Sequence, residues 1–211
     1  MAGGPAKTAV IASGFMGSVS GSAVANVVTT GSFTIPMMKR TGYKPHVAGG
    51  IEAAASTGGQ LMPPIMGAGA FLMAEFTNRS YLEIVKIAII PACMYYFATY
   101  CFVHLRAKKM GIKPLGKKDI PDFWDTIKSG YQFFIPIAVL VFFLVKHYSP
   151  MMVGFVGVIS VVAVSFIRKG TRIGLWDIIR LLEKGSHNAV MVSAACGAAG
   201  IIVGMVTLTG L

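Results

Sequence analysis

Apolar residues run along this chain in blocks of membrane-spanning length, parted by short polar and basic clusters. A helix needs about 20 mostly apolar residues to cross the hydrocarbon layer of a bilayer. Residues 82–105, 131–148 and 151–167 fit, the last two being short, and residues 189–211 are still apolar at the last position. Between them, residues 176–182 read as an amphipathic helix lying at the membrane surface, with Trp176 at headgroup level.

Residues 7–76 are apolar too, but Gly, Ser, Thr and Pro interrupt them at short intervals. Residues 8–19 and 23–38 are each too short to span, and Ser18-Val19-Ser20-Gly21-Ser22 separates them. That pattern predicts a re-entrant helical hairpin that turns partway through the membrane, with its tip at residues 18–23. Residues 45–56 and 65–76 then predict two half-length helices around Thr57-Gly58-Gly59-Gln60-Leu61-Met62-Pro63-Pro64. Paired prolines break a helix and free backbone groups. Irregular backbone at membrane depth persists only where protein or a water-filled cavity satisfies it, so two such interruptions mark a binding site near the midplane.

Composition agrees with a membrane origin. Charged residues are 13% of the chain against 55% hydrophobic, and the mean hydropathy is +0.68. A soluble domain carries roughly a quarter charged residues, so this chain could not clothe a water-facing surface. The net charge of +11 does not point to nucleic acid, because no aromatic-basic interleaving accompanies it. It is concentrated at span ends instead: Lys39, Arg40 and Lys44; Arg106, Lys108, Lys109, Lys113, Lys117 and Lys118; Arg168, Lys169 and Arg172. One alternating topology puts all three clusters on the cytoplasmic side. Cys93, Cys101 and Cys196 sit in apolar runs without paired spacing and read as packing residues. Residues 1–5 lack the basic start of a secretory signal.

The candidate chemistry lies in the two interruptions. Ser18, Ser22 and Asn26 are spaced by four, with Thr29 or Thr30 continuing the row, so a helix there would carry oxygens on one stripe. Gly14, Gly17, Gly21 and Ala25 allow a partner backbone to approach. Such Ser and Asn residues also serve as interhelical packing bonds, but Ser56-Thr57-Gly58-Gly59-Gln60 supplies a second oxygen-rich break. The two can converge on a small hard cation such as Na⁺, with Ser22, Asn26 and Thr57 among its ligands. Half-helix amino ends nearby favour a substrate carboxylate. Glu52 and Glu75 flank the broken helix, and an interhelical hydrogen bond is the expected role of Glu52, with proton coupling as the alternative. No membrane segment groups Ser, His and Asp or pairs two carboxylates, so no enzyme is expected.

The segments Met16-Gly17-Ser18-Val19-Ser20-Gly21-Ser22-Ala23-Val24-Ala25-Asn26, Ile35-Pro36-Met37-Met38-Lys39, Glu52-Ala53-Ala54-Ala55-Ser56-Thr57 and Met62-Pro63-Pro64 resemble the large, DctM-like membrane subunit of TRAP (tripartite ATP-independent periplasmic) transporters. The resemblance is dense over residues 14–74. Val27-Val28-Thr29-Thr30-Gly31 and Gly58-Gly59-Gln60 are similar to the branch with fused membrane subunits and a TAXI-type binding protein. It implies an elevator-type fold of two inverted repeats, each with a hairpin and a broken helix, working by Na⁺ symport without ATP in the inner membrane. The implied substrates are small organic acids such as C4-dicarboxylates. The implied partners are a periplasmic substrate-binding protein, a small membrane subunit (separate or fused) and the rest of the permease chain, with Na⁺ as coupling ion and no cofactor.

By the same resemblance Ser20, Gly21, Ser22, Asn26, Thr57, Gly58 and Pro63 hold Na⁺, and Ser20, Ser22, Asn26, Thr57, Gly59 and Gln60 face substrate. The expected parts are residues 1–76 (hairpin and broken helix), 77–130 (spanning helix and basic loop), 131–187 (two scaffold spans and an interfacial helix) and 188–211 (the start of a second repeat). On this reading the chain is an internal piece of a permease. A stand-alone Na⁺–carboxylate symporter, or a channel or membrane scaffold, are the competing readings; a channel should show a continuous polar face, and residues 131–167 show none. The charge pattern predicts that residues 106–128 face the cytoplasm. A cysteine introduced by Gly111→Cys should therefore escape a membrane-impermeant thiol reagent in intact cells, and efficient modification would reverse the topology.

Overall fold

The computed structural model describes residues 3–112, 130–167 and 173–210. Every regular element among them is helical. The chain divides into two compact units, Met1–Thr126 and Ile127–Leu211. The greater part of the expected basic loop, residues 113–128, and the cluster at 168–172 lie outside the described residues.

In the first unit the expected hairpin is formed by α1 (Gly4–Ser20) and α2 (Ala23–Arg40). Pro5 starts α1, where its missing N–H costs nothing. Gly21 ends it in the left-handed region (φ 63°), with its N–H on the Gly17 carbonyl at 2.9 Å. A side chain at Gly21 would also meet the Met66 carbonyl, a Cβ there falling 2.4 Å from that oxygen. Ser22 caps α2 by accepting the Ala25 N–H, and Lys39 and Arg40 close the helix at its negative end.

The broken helix follows as α3 (Pro45–Gly58), a 3-10 turn (Gly59–Leu61) and α4 (Ala68–Thr77). The break lies later than expected. Thr57 and Gly58 belong to α3, and the chain leaves helical geometry only at Met62 (φ −82°, ψ 120°). Steric exclusion by the following Pro63 drives Met62 extended, so the prolines rather than the glycines set the break. The Pro63–Pro64 bond is cis.

Ser80 caps α5 (Tyr81–Lys109), whose 29 residues and composition suffice to cross a membrane. Helices α1, α2 and α3 pack on one another, and α5 packs on α1, α3 and α4. Small residues make the core close: Ala6 and Ala9 of α1, Ala48 and Ala55 of α3 and Ala107 of α5 are buried together with Val10, Met38, Ile51 and Val103. Lys7, buried in α1, lays its ammonium 5.0 Å from the ring centre of Tyr100 on α5.

In the second unit a 3-10 turn (Tyr131–Phe133) leads into α6 (Phe134–Val145), which packs on α7 (Pro150–Ser165). At 12 and 16 residues these helices are shorter than the expected spans. Helix α8 (Leu175–Thr209) corrects the sequence reading: the expected surface helix at 176–182 and the span from 189 are one continuous element of 35 residues. A lone Gly185 costs only about 1 kcal/mol in a helix, too little to break this one. At 1.5 Å per residue α8 is about 50 Å long, well beyond the roughly 30 Å hydrocarbon layer, and its charged residues Asp177, Arg180, Glu183 and Lys184 fall in the excess.

Gly17 of α1 and Gly59 meet backbone to backbone, where a Cβ on either would stand 2.5 Å from the other's Cα. Gly59→Ala should therefore lower stability by about 1–3 kcal/mol through overpacking. Gly49→Ala, with nothing within 4 Å of the added Cβ, should leave it unchanged or raised. Thermal unfolding in detergent distinguishes these outcomes, and equal midpoints for the two variants would contradict the close contact.

Candidate functional site

The hairpin tip and the helix break meet. The Ile65 N–H donates to the Ser18 carbonyl at 3.2 Å, and the Gly67 N–H donates back to the Gln60 carbonyl at 2.8 Å. Gly21 lies against Met66 and Gly67. The first turns of α2 and α4 begin beside this junction, at Ala23 and Ala68, so the positive ends of two helix dipoles adjoin it.

The sequence-predicted residues divide. Ser20, Gly21 and Ser22 are half-buried at the tip, the Ser20 hydroxyl 3.5 Å from the Ser22 carbonyl. Pro63 is half-buried in the break. Gln60 is exposed and reaches the junction through its backbone carbonyl. Gly58 and Gly59 are buried, Gly59 against Gly17 and Gly58 beneath the Tyr95 ring. Thr57 is exposed and gives its hydroxyl to the Ala53 carbonyl of its own helix at 2.8 Å. On the break side, the residues against the tip are Ile65, Met66 and Gly67, downstream of the expected stretch.

The expected oxygen stripe through Ser18, Ser22 and Asn26 does not form on one helix. The left-handed turn at Gly21 leaves Ser18 on α1, bonded to the Phe15 carbonyl, and Asn26 on α2. Asn26 is fully buried, and its Nδ2 crosses to the Ser13 carbonyl of α1 at 2.7 Å.

Three tyrosines of α5 serve the break. Around Gly59 the backbone tightens, its N–H turning to the Ser56 and Thr57 carbonyls and away from Ala55. The Tyr96 hydroxyl donates to the Ala55 carbonyl and the Tyr95 hydroxyl to the Ala54 carbonyl, each at 2.8 Å. The Tyr81 hydroxyl donates to the Ile65 carbonyl and lies 3.4 Å from that of Pro64. Phenol hydroxyls thus serve carbonyls at the end of α3 and in the break. Tyr81 precedes Tyr95 and Tyr96 by close to four helical turns, a face-sharing interval that could have marked the three in the sequence.

One helical turn inward from Ser56 lies a second cluster. Glu52 of α3 is fully buried, and Gly31 of α2 makes room for it, a Cβ there falling 3.2 Å from the Glu52 Cγ. Four hydroxyls converge on its carboxyl: Ser13 at 2.6 Å, Thr30 at 2.5 Å and Ser56 at 3.2 Å on Oε1, and Thr34 at 2.5 Å on Oε2. Interhelical bonding was the expected role of Glu52, but Ser13 and Thr34 were not singled out. Their signal is the pairing of Thr30 with Thr34 and of Glu52 with Ser56 at one helical turn on facing helices.

Removing a buried hydrogen-bond partner leaves the other group unsatisfied at about 1–3 kcal/mol. Asn26→Ala, which removes the bond across to α1 and opens space between α1 and α2, should destabilise the fold by about 1–3 kcal/mol and so lower the unfolding midpoint. Ser20→Ala, at the half-buried tip, should not. An unchanged midpoint for Asn26→Ala would show that the crossing bond contributes nothing to the hairpin.

Comparison with known proteins follows the same lines. The family profile described as "Tripartite ATP-independent periplasmic transporter, DctM component" matches residues 1–211. An uncharacterized protein, y4mL of Sinorhizobium fredii, is 33% identical over 106 residues, covering 49% of this chain and 25% of that protein. The 2,3-diketo-L-gulonate TRAP transporter large permease protein YiaN of Escherichia coli is 24% identical over 180 residues, covering 84% of this chain and 42% of that protein. The chain thus spans less than half the length of either relative. No solved structure matches it. With its hairpin, its broken helix and a match along its whole length, the chain belongs to the DctM component family of tripartite ATP-independent periplasmic transporters.

Proposed function

We propose that this chain forms part of the permease of a Na⁺-coupled, binding-protein-dependent secondary transporter for small organic acids, working by an elevator movement without ATP hydrolysis in an inner (cytoplasmic) membrane. The observation that supports it best is the junction of hairpin tip and helix break, where two helix amino ends adjoin hydroxyl and carbonyl oxygens. Amino ends favour a carboxylate, and hard oxygens favour an alkali cation, so one junction can take both. The E. coli relative is named for 2,3-diketo-L-gulonate, itself a carboxylate, which favours small organic acids broadly over C4-dicarboxylates alone.

In this reading the Na⁺ ligands come from Ser20, Gly21, Ser22 and Asn26 on the hairpin and from Thr57, Gly58 and Pro63 on the broken helix. Substrate meets Ser20, Ser22, Asn26, Thr57, Gly59 and Gln60. A periplasmic substrate-binding protein delivers it, and a small membrane subunit, separate or fused, completes the permease. Ion and substrate then bind with reciprocal coupling, because each orders the oxygens and amino ends that the other uses.

Transport in proteoliposomes across a sodium series tests this. Ser22→Ala and Thr57→Ala should each raise the half-saturating Na⁺ concentration about threefold to tenfold, as loss of one ligand worth roughly 0.7–1.4 kcal/mol requires. Thr57 is exposed, so its truncation leaves the fold intact. Unchanged half-saturation in both variants means the sodium site lies elsewhere.

A further inference from the structure

Between α1 and α5 runs an apolar groove that the transport reading does not use. The two helices are antiparallel: Gly3, just before α1, meets Ala107, and Gly14 meets the ring of Tyr96. The groove between them holds about 270 Å³. Ile11, Gly14 and Phe15 line it from α1, Phe97 and Tyr100 from α5, and Met62 from the break. Ile11, Phe15 and Phe97 are each at least half exposed, so the groove opens on the outer faces of both helices. Walls of this kind offer water no partners, which disfavours a water cluster or a free small acid as the occupant.

One end of the groove carries a charge. Lys7, Ile11 and Phe15 follow at four-residue spacing on one face of α1, so Lys7 stands one turn beyond the apolar lining. Its side chain is buried, and its ammonium lies 5.0 Å from the ring centre of Tyr100, itself part of the wall. No hydrogen bond or ion pair engages that ammonium among the described residues. The acids between residues 3 and 112 are Glu52, Glu75 and Glu83. Glu52 is held by hydroxyls, Glu83 faces Arg79, and Glu75 is exposed on α4. A buried ammonium met only by a ring face lacks a counter-ion, and burial makes that lack costly. Arg106, Lys108 and Lys109 end α5 on the same side, Lys109 about 13 Å along the helix from Tyr100. Met62 lies at the other end, because it follows Gly59, which meets Gly17.

We propose that this groove binds one anionic phospholipid of the surrounding bilayer. An acyl chain lies along Ile11, Phe15 and Phe97 toward Met62, and the lipid phosphate meets the Lys7 ammonium beside Tyr100. Basic pockets between spanning helices recognise lipid headgroups in this way, and the long lysine stem carries the charge toward headgroup level. The site uses none of the residues assigned to Na⁺ or substrate, so the two readings fail separately.

Fluorescence quenching of the assembled permease in bilayers tests this. Phe97→Trp puts a reporter in the groove wall, and the permease without it supplies the background from Trp124 and Trp176. The probes are phosphatidylglycerol and phosphatidylcholine with brominated acyl chains, each presented at the same fraction in a mixture of the two lipids. The reporter should be quenched as if phosphatidylglycerol were enriched about threefold to tenfold, the preference one lysine gives. Lys7→Met, which keeps the apolar stem, should remove that preference, and Lys7→Arg should retain it. Lys86→Met, at an exposed lysine of α5, should leave it unchanged. Should Lys7→Met fail to assemble, a second reporter decides: Phe102→Trp, exposed on α5 outside the groove, should show no preference between the lipids. Equal quenching by both lipids at residue 97, the same preference at 102 as at 97, or a preference that survives Lys7→Met overturns the proposal. So does a reporter at 97 shielded from both lipids by neighbouring protein.

Discussion

Backbone groups that leave a helix inside an apolar layer have to find partners within the protein, since no water is there to take them. At the break after α3 this requirement organises the first unit. The carbonyls of Ala54, Ala55, Pro64 and Ile65 face the hydroxyls of Tyr95, Tyr96 and Tyr81, so α5 is bound to both halves of the broken helix. The Ile65 N–H goes instead to Ser18, so the hairpin tip is bound to the same break. Those contacts need backbones nearly touching, and glycines supply the room: Gly17 against Gly59, Gly21 against Met66, Gly58 beneath the Tyr95 ring. A break that cost its hydrogen bonds outright would be worth several kcal/mol per group in hydrocarbon. Here the tyrosines and the tip offset part of that cost from within the chain.

The two interruptions were legible because their causes are local. A serine-rich knot with Gly21 can only turn, and Pro63 and Pro64 can only end a helix. Their details were less legible. The expected break covered residues 57–64, but within it glycine merely permits irregular backbone, whereas proline forces the preceding residue extended; the chain therefore stays helical to Gly58 and tight to Leu61. The four-residue spacing of Ser18, Ser22 and Asn26 suggested a shared face, but spacing has that meaning only along an unbroken helix, and Gly21 lies between them. At α8 the error ran the other way: the charged stretch before the apolar one looked like a separate element, although nothing in it stops a helix.

Long-range partners were the least legible. A tyrosine that donates to a carbonyl leaves no complementary side chain to find in the sequence, so nothing paired Tyr81, Tyr95 and Tyr96 with the break in advance. Glu52 was visible as a polar residue in an apolar helix, but its hydroxyl partners Ser13, Thr30 and Thr34 lie on two other helices and became a cluster only when α1, α2 and α3 packed together.

Tip and cluster are one connected structure. Asn26 lies just inside the amino end of α2, next to Gly17 and Gly59, and its side chain reaches the Ser13 carbonyl. The Ser13 hydroxyl reaches Glu52, and Thr30, one turn below Asn26 on α2, touches both. A displacement of α2 at the tip therefore cannot stay local: it stretches the Asn26 bond to α1 and the Thr30 bond to α3 together. Since both are short hydrogen bonds between fully or half-buried groups, with no water to replace a lost partner, the hairpin has few intermediate positions available. The packing of α2 is thus held at two heights by two different neighbours, through polar residues along it as well as through its apolar face.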